Sequence, residues 1–349
     1  MVKMTEQTKE QRTEIGDIGE IGLINIIREK FKPVNESIIF GIGDDAAVFE
    51  TSELLSLLST DMLVEGVHFD LSYMPLQHLG YKAVSVNVSD IAAMNGVPKA
   101  ITVNIGLSNR FSVEAVEEIY KGVKFACEDY KVDLVGGDTT SCPSGLILSI
   151  SVTGEVDKNK AVYRNTAEEN DILCVTGDLG AAYLGLQILE REKQVFKANP
   201  EMQPELNKYE YLVKRQLKPV ARMDIIYELE EMNIVPTSMI DISDGLVSEV
   251  FHICKESDLG VAIFEDKLPI DEESNNAAGE FKIDPTTCAL NGGEDYELLF
   301  TVGQSEFEKL KNHSDISMIG YMDKKENGKN LVTKKQNTTL LQAQGWNHF

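Results

Sequence analysis

Leu23, Ile24, Ile27 and Phe31 recur at the 3.6-residue spacing of an amphipathic helix, which predicts one over 21–31. The same spacing returns over 112–130, where Val113, Val116, Ile119, Tyr120 and Val123 share a face and Ser112 is placed to cap the start. Short β-branched or aliphatic runs at 38–40, 54–58, 83–88, 101–105 and 146–152 read as strands. A polar, turn-like stretch follows at 157–160, and then the alternation restarts. Strands are predicted at 172–176, 238–242, 260–263 and 298–302, and helices over 181–191 and 246–256. A long polar stretch over 204–232 reads as helical, and Asn327-Gly328, close to lysines, reads as a surface hairpin turn. Strands interleaved with helices predict the α/β class, of the α+β type, in two domains, 1–157 and 158–349.

Charge narrows the partners. The 349 residues carry 33 basic and 57 acidic side chains, a formal net charge of −24. Nucleic acids and anionic membranes attract the opposite sign, so neither is an expected partner, and bound phosphates would need divalent cations as intermediaries. The five cysteines are scattered with no C-x-x-C pair, which argues against a disulfide framework or a structural zinc. No run reaches the ~18 apolar residues that span a bilayer, and the stretch 5–14 is polar throughout. A cytoplasmic protein is expected.

One pattern repeats: an apolar run, one or two small residues, then aspartate. It occurs at Gly41-Ile42-Gly43-Asp44-Asp45, Ser59-Thr60-Asp61, Val88-Ser89-Asp90, Gly136-Gly137-Asp138 and Asp241-Ile242-Ser243-Asp244-Gly245. Singly, such an aspartate is a turn former or helix cap. As a set at strand ends, five of them can converge on one crevice. Carboxylates so gathered repel each other, and Mg²⁺ relieves this while binding substrate phosphate oxygens. Gly41-Ile42-Gly43-Asp44-Asp45-Ala46 also fits a loose dinucleotide fingerprint, but two carboxylates stand where a pyrophosphate needs N–H donors. No P-loop and no nucleophile–base pair is present. A hydroxyl acceptor generally needs a base. A phosphate acceptor, with its second pKa near ~6, is already a nucleophile.

Eight strings carry a resemblance: G-I-G-D-D-A-A-V at 41–48, S-T-D-M-L-V-E-G-V-H-F at 59–69, Y-K-A-V-S-V-N-V-S-D-I-A-A-M at 81–94, G-G-D-T-T at 136–140, V-T-G at 175–177, I-D-I-S-D-G-L at 240–246, G-G-E-D-Y-E-L at 292–298 and G-W-N-H-F at 345–349. In this order they resemble the thiamine-monophosphate kinase family, which has the aminoimidazole-ribonucleotide-synthetase fold. The resemblance implies that ATP and thiamine monophosphate give thiamine diphosphate and ADP by direct in-line transfer, without a general base, as the last step of thiamine diphosphate biosynthesis. It also implies several Mg²⁺ ions and a homodimer through the N-terminal sheet. Residue by residue it implies Mg²⁺ at Asp45, Ser59, Thr60, Asp61, Asp90, Asp138, Asp241 and Asp244. It implies ATP at Tyr120, Gly137, Asp138, Arg164 and Ser243, and the thiamine substrate at His68, Glu294 and Trp346.

The chemistry suits these roles. Arg164 can clamp phosphates with two parallel N–H donors, Trp346 can face a cationic thiazolium, and Glu294 can accept a hydrogen bond from an aminopyrimidine. Each also has a plain reading: a surface ion pair for Arg164, a tail anchor for Trp346, a loop acid for Glu294 and a helix-edge imidazole for His68. One departure stands out. The family's Lys-Pro-Gly-Asp-like turn reads Glu168-Glu169-Asn170-Asp171 here, with Asn170 expected to take the left-handed conformation of the glycine. Two rival functions remain at this level: an ATP-dependent cyclo-ligase or amidotransferase subunit of the same fold, and a non-catalytic nucleotide- or metal-binding module.

Overall fold

The computed structural model describes residues 22, 24, 25, 28, 29, 37–51 and 53–343. Six strands form a first sheet in the order β1-β2-β3-β6-β4-β5: β1 Ile38–Phe40, β2 Ala47–Glu50, β3 Leu54–Val64, β4 Val97–Leu107, β5 Asp133–Ser141 and β6 Leu146–Asp157. β3 and β4 both run antiparallel to β6, and so parallel to each other, and β5 lies parallel to β4. Parallel strands need long crossovers. Helix α1, Leu76–Ala93, supplies the one after β3, and α2, Val113–Tyr130, the one after β4. Ser112 caps α2, its hydroxyl accepting the Ala115 N–H.

The second sheet has the order β13-β12-β9-β11-β7-β10-β8, with β7 Ile172–Thr176, β8 Ser238–Asp241, β9 Gly260–Phe264, β10 Leu298–Val302, β11 Ile316–Asp323, β12 Lys329–Val332 and β13 Thr338–Leu340. Around it lie α3 Ala181–Ala198, α4 Glu210–Leu217, α5 Met223–Glu231, α6 Leu246–Glu256, α7 Glu272–Phe281 and α8 Pro285–Asn291. The largest hydrophobic cluster joins the two halves: Val84 and Ile91 of α1 and Ile101 of β4 belong to it together with Met223 and Phe300.

The two faces of the first sheet differ. Alternation along β3 turns Leu55, Leu57 and Leu63 into the core, and with them Ser59 and Asp61. Leu58, Thr60 and Met62 point the other way, and Leu58 and Met62 are 40% and 53% exposed. At the edge of this sheet β5 is exposed along its whole length. Its Gly137 has φ +154° and lies so close to β4 that a Cβ would fall 1.9 Å from the Val103 carbonyl oxygen, so only glycine fits.

Three sequence expectations are corrected. Residues 83–88 are helical, inside α1. Their alternating valines mimic a strand, but α1 is buried nearly all round, so its polar positions face neighbours and not water. Ser85 meets the Tyr130 hydroxyl at 2.8 Å, Asn87 accepts the Asp61 N–H at 3.0 Å and Ser89 donates to Asp241 at 2.6 Å. The stretch 204–232 is two helices, α4 and α5, because Pro219 cannot continue the first. Asn327-Gly328 does turn, with Gly328 at φ +79°, yet it joins β11 to β12 across β9 and so is no hairpin. Asn170 has φ +70°, as the turn chemistry requires. Of 21–31, the described residues Gly22, Ile24, Asn25, Arg28 and Glu29 are helical.

Candidate metal centre and substrate pocket

Three carboxylates from three elements meet in the interior. Asp45 comes from the turn between β1 and β2, Asp90 from the last turn of α1 and Asp241 from the end of β8. One oxygen of each lies within 4.8 Å of the others. Each is held by a different neighbour. Arg164 Nη2 donates to Asp45 Oδ1 at 2.6 Å, Ser59 Oγ to Asp90 Oδ2 at 2.5 Å and Ser89 Oγ to Asp241 Oδ2 at 2.6 Å. The second oxygen of Asp45 is buried without a hydrogen-bond partner. Arg164 also spans Asp44: its backbone N–H donates to the carboxylate at 3.2 Å, and its guanidinium forms an ion pair with it, Nε lying 3.3 Å from Oδ1 without a hydrogen bond. Gly43 has φ +130°, which keeps this turn glycine, and the Arg28 guanidinium packs on it, 2.7 Å from where a Cβ would sit.

Burial dominates the electrostatics. It pushes Asp61 and Asp241 up to about 6, and Asp45 and Asp90 well above the carboxylate range. Neighbouring carboxylates add to this at Asp90, where Asp61, Asp241 and Asp45 all raise the pKa, while Arg164 opposes it at Asp45. A divalent cation among these oxygens reverses the balance, since it supplies the charge that burial otherwise forbids. An orphaned buried carboxylate oxygen beside two more carboxylates is the donor set of a hard, oxygen-loving ion. The residues present fit Mg²⁺.

The acidic group opens on a pocket of about 780 Å³ whose walls include Asp61, Asp90, Asp241, Ser243 and Asp244. His68, Tyr73, Tyr183, Gln216 and Glu294 line it too. The Asp244 N–H donates to Glu249 at 3.1 Å, which fixes the turn into α6. His68 accepts the Val64 N–H through Nδ1 at 3.0 Å. Glu294 follows two glycines at φ +65°, and Lys82 Nζ lies 2.8 Å from its Oε2.

Of the residues singled out in the sequence, the structure therefore gathers Asp45, Ser59, Asp61, Asp90, Asp241, Asp244, Arg164, Ser243, His68 and Glu294. Four others stand apart. Thr60 is one residue from Asp61 on a strand and so points to the open face, where its hydroxyl donates to the Ile150 carbonyl at 2.8 Å. Gly137 and Asp138 lie on exposed β5. In register, Asp61 opposes Ile150, Ile150 opposes Val103 and Val103 opposes Gly137. Three strand spacings, roughly 14 Å, then separate Asp61 from Gly137, so Asp138 shares no ion with Asp61 inside one chain. Tyr120 packs on the core from α2. Trp346 lies outside the described residues.

Lys82, Asn87, Ser89, Gln216, Asp44 and Glu249 were not singled out by sequence reasoning. A signal was present for Lys82 alone: Lys82, Val86 and Asp90 recur every four residues, one face of a helix, and Val86 and Asp90 both reach the pocket.

Residues 43–156 match the family described as AIR synthase related protein, N-terminal domain. Fold and acidic centre together define an AIR-synthase-related protein with a metal-type carboxylate site. Thiamine-monophosphate kinase of Bacillus subtilis (strain 168) is 34% identical over 326 residues, 90% of this chain and 95% of that protein. The Aquifex aeolicus (strain VF5) thiamine-monophosphate kinase is 37% identical over 309 residues, 88% of this chain and 92% of its own length. The solved structure of AaThiL complexed with AMPPCP and TMP matches with a TM-score of 0.83 and 32% identity, over 97% of this chain and 99% of that one. The chain belongs to the thiamine-monophosphate kinase family.

Proposed function

We propose that this protein transfers the terminal phosphoryl group of ATP to thiamine monophosphate, giving thiamine diphosphate and ADP. The observation that carries the reading is the meeting of Asp45, Asp90 and Asp241 beside a pocket that also presents Glu294. The AaThiL complex with AMPPCP and TMP supports the same pair of substrates. Asp45, Asp61, Asp90, Asp241 and Asp244 would hold Mg²⁺, with Ser59 as a further oxygen. Bound there, the ions would neutralise the phosphates of both substrates and so allow two anions to approach. Arg164 reaches the same group and offers guanidinium N–H donors to ATP, and Ser243 lies on the pocket wall to bind it. His68 would face the acceptor phosphate and Glu294 an amino group of its ring; Trp346, outside the described residues, would bind the cationic ring. The acceptor phosphate is its own nucleophile, so no side chain need remove a proton, and in-line attack follows from placement.

The protein would work as a homodimer. The open face of the first sheet exposes Leu58 and Met62, and edge strand β5 exposes Leu134 and Val135 at 43% and 65%. A second copy seated there would cover these side chains. It would also bring Gly137, Asp138 and Thr60 into an interface, completing across two chains what one chain leaves apart. On this reading 1–157 is the dimerising, metal-binding domain and 158–349 the partner domain. The free cysteines favour a reducing cytoplasm. No helix of the described residues is long and apolar enough to cross a membrane.

Incubation with ATP, Mg²⁺ and thiamine monophosphate tests the reading. Thiamine diphosphate and ADP should appear in equal amounts, and EDTA should stop both. ADP without thiamine diphosphate would favour the cyclo-ligase class, and ATP binding without turnover would favour a sensing module.

A further inference from the structure

Lys82 has no exposed surface, and it sits on α1 among apolar side chains. Burying an ammonium is costly unless it is paired, so its partners carry the explanation. Nζ donates to Glu294 Oε2 at 2.8 Å and to the Gln216 carbonyl at 3.4 Å. The Gln216 amide donates to the same Oε2 at 2.5 Å. The other atom of that amide, Oε1, is buried without a partner, so the side chain is committed to Glu294. Among the described residues no hydrogen bond is made by Glu294 Oε1, and the side chain keeps 26% of its surface on the pocket wall.

The backbone beneath is held as firmly. Glu294 and Tyr296 both take left-handed conformations, φ +65° and +51°, which side chains other than glycine avoid. Such strain persists only where its surroundings over-determine it. Here the Glu294 N–H donates to the Ser243 carbonyl at 2.6 Å and the Tyr296 N–H to that of Ile242 at 2.9 Å. Asp295 between them accepts the Gly180 N–H at 2.8 Å. The loop is thus held at the Glu294 and Tyr296 N–H groups, at the Asp295 carboxylate and at Glu294 Oε2, and Glu294 lines the pocket.

We propose that Lys82, aided by Gln216, is a positioning residue that fixes Glu294 with one oxygen presented to an amino group on a heteroaromatic ring of the acceptor substrate. This rests on the transfer reading above. A carboxylate aimed in advance costs no reorganisation when the ring arrives.

Lys82→Met keeps the length of the side chain and removes its charge. KM for thiamine monophosphate should rise at least about tenfold, matching the loss of a charged hydrogen bond, while KM for ATP stays within about twofold. Calorimetric titration with thiamine monophosphate alone should weaken in parallel. Adding Glu294→Gln to Lys82→Met should cost little more, because both changes remove the same presented oxygen. If Lys82→Met does not fold, Gln216→Met decides by the same split of KM values, with a smaller shift. Equal rises in both KM values, unchanged binding of thiamine monophosphate, or multiplicative losses in the double variant would overturn the assignment. A wild-type protein that makes no thiamine diphosphate overturns the transfer reading as well, whereas an active wild type with unsplit KM values overturns the Lys82 role alone.

Discussion

Asp241→Asn separates the cost of the acidic centre from its use. In the metal-free protein Asp241 is 4% exposed, so water does little to screen it, and burial pushes it up to about 6 from 3.8. Two units at about 1.4 kcal/mol each amount to roughly 3 kcal/mol held against the fold when the group is ionised. The folded state binds this proton more tightly than the unfolded chain. The stabilisation is therefore complete below about pH 4 and lost as pH rises through about 6. Asparagine removes the charge and still accepts the Ser89 hydroxyl. In EDTA at neutral pH the variant should melt above wild type, by roughly 5 °C. The gap should close towards about pH 5, where wild type carries the proton itself. With saturating Mg²⁺ the order should reverse, and turnover should fall by roughly 10²-fold or more. Thermal unfolding with and without Mg²⁺, read beside a coupled ADP assay, gives all four numbers. A variant that melts at or below wild type in EDTA at neutral pH would refute the argument that these carboxylates are destabilising until a cation joins them.

Arg164→Lys keeps the charge but cannot hold Asp44 and Asp45 together as the guanidinium does; KM for ATP should rise about tenfold, and an unchanged value would remove Arg164 from the nucleotide site. Gly137→Ala puts a Cβ 1.9 Å from the Val103 carbonyl oxygen, so roughly 2–4 kcal/mol of stability should go and hydrogen exchange of the β5 amides should accelerate. Protection equal to wild type would contradict this close approach. Met62→Glu with Leu58→Glu charges the open face; sedimentation should shift from dimer to monomer, and a dimer that survives would place the interface elsewhere.

The sequence strings located the acidic centre because its aspartates stand beside small residues, Gly43 near Asp45, Ser89 before Asp90 and Ser243 after Asp241, whether the backbone there is turn, helix or strand end. Asp45, Asp90 and Asp241 were legible for that reason. What failed was direction. Ser59, Thr60 and Asp61 look like one motif, yet a strand sends the middle residue to the opposite face, and the alternation was there to be used. Valines at 84, 86 and 88 disguised α1 as a strand, because a helix packed on every side has no polar stripe to betray its period. Lys82 shares the four-residue spacing of Val86 and Asp90, but nothing local shows that its partner lies 212 residues away. The strands β2, β11, β12 and β13 and the helices α7 and α8 went unread: the pairing of β11 and β12 depends on neighbours distant in sequence, and the other elements are short.

Lys82 and Asp90 sit eight positions apart on α1, about 12 Å of axial rise along one rigid rod. On the proposed reading one end would steer the carboxylate that reads the ring, and the other would belong to the acids at the phosphates. The helix would then be a gauge, cut to a fixed length from a single stretch of backbone. A molecule whose ring and phosphate are spaced differently can satisfy one end only, and inserting or deleting a single residue between them would rotate the two ends about 100° apart.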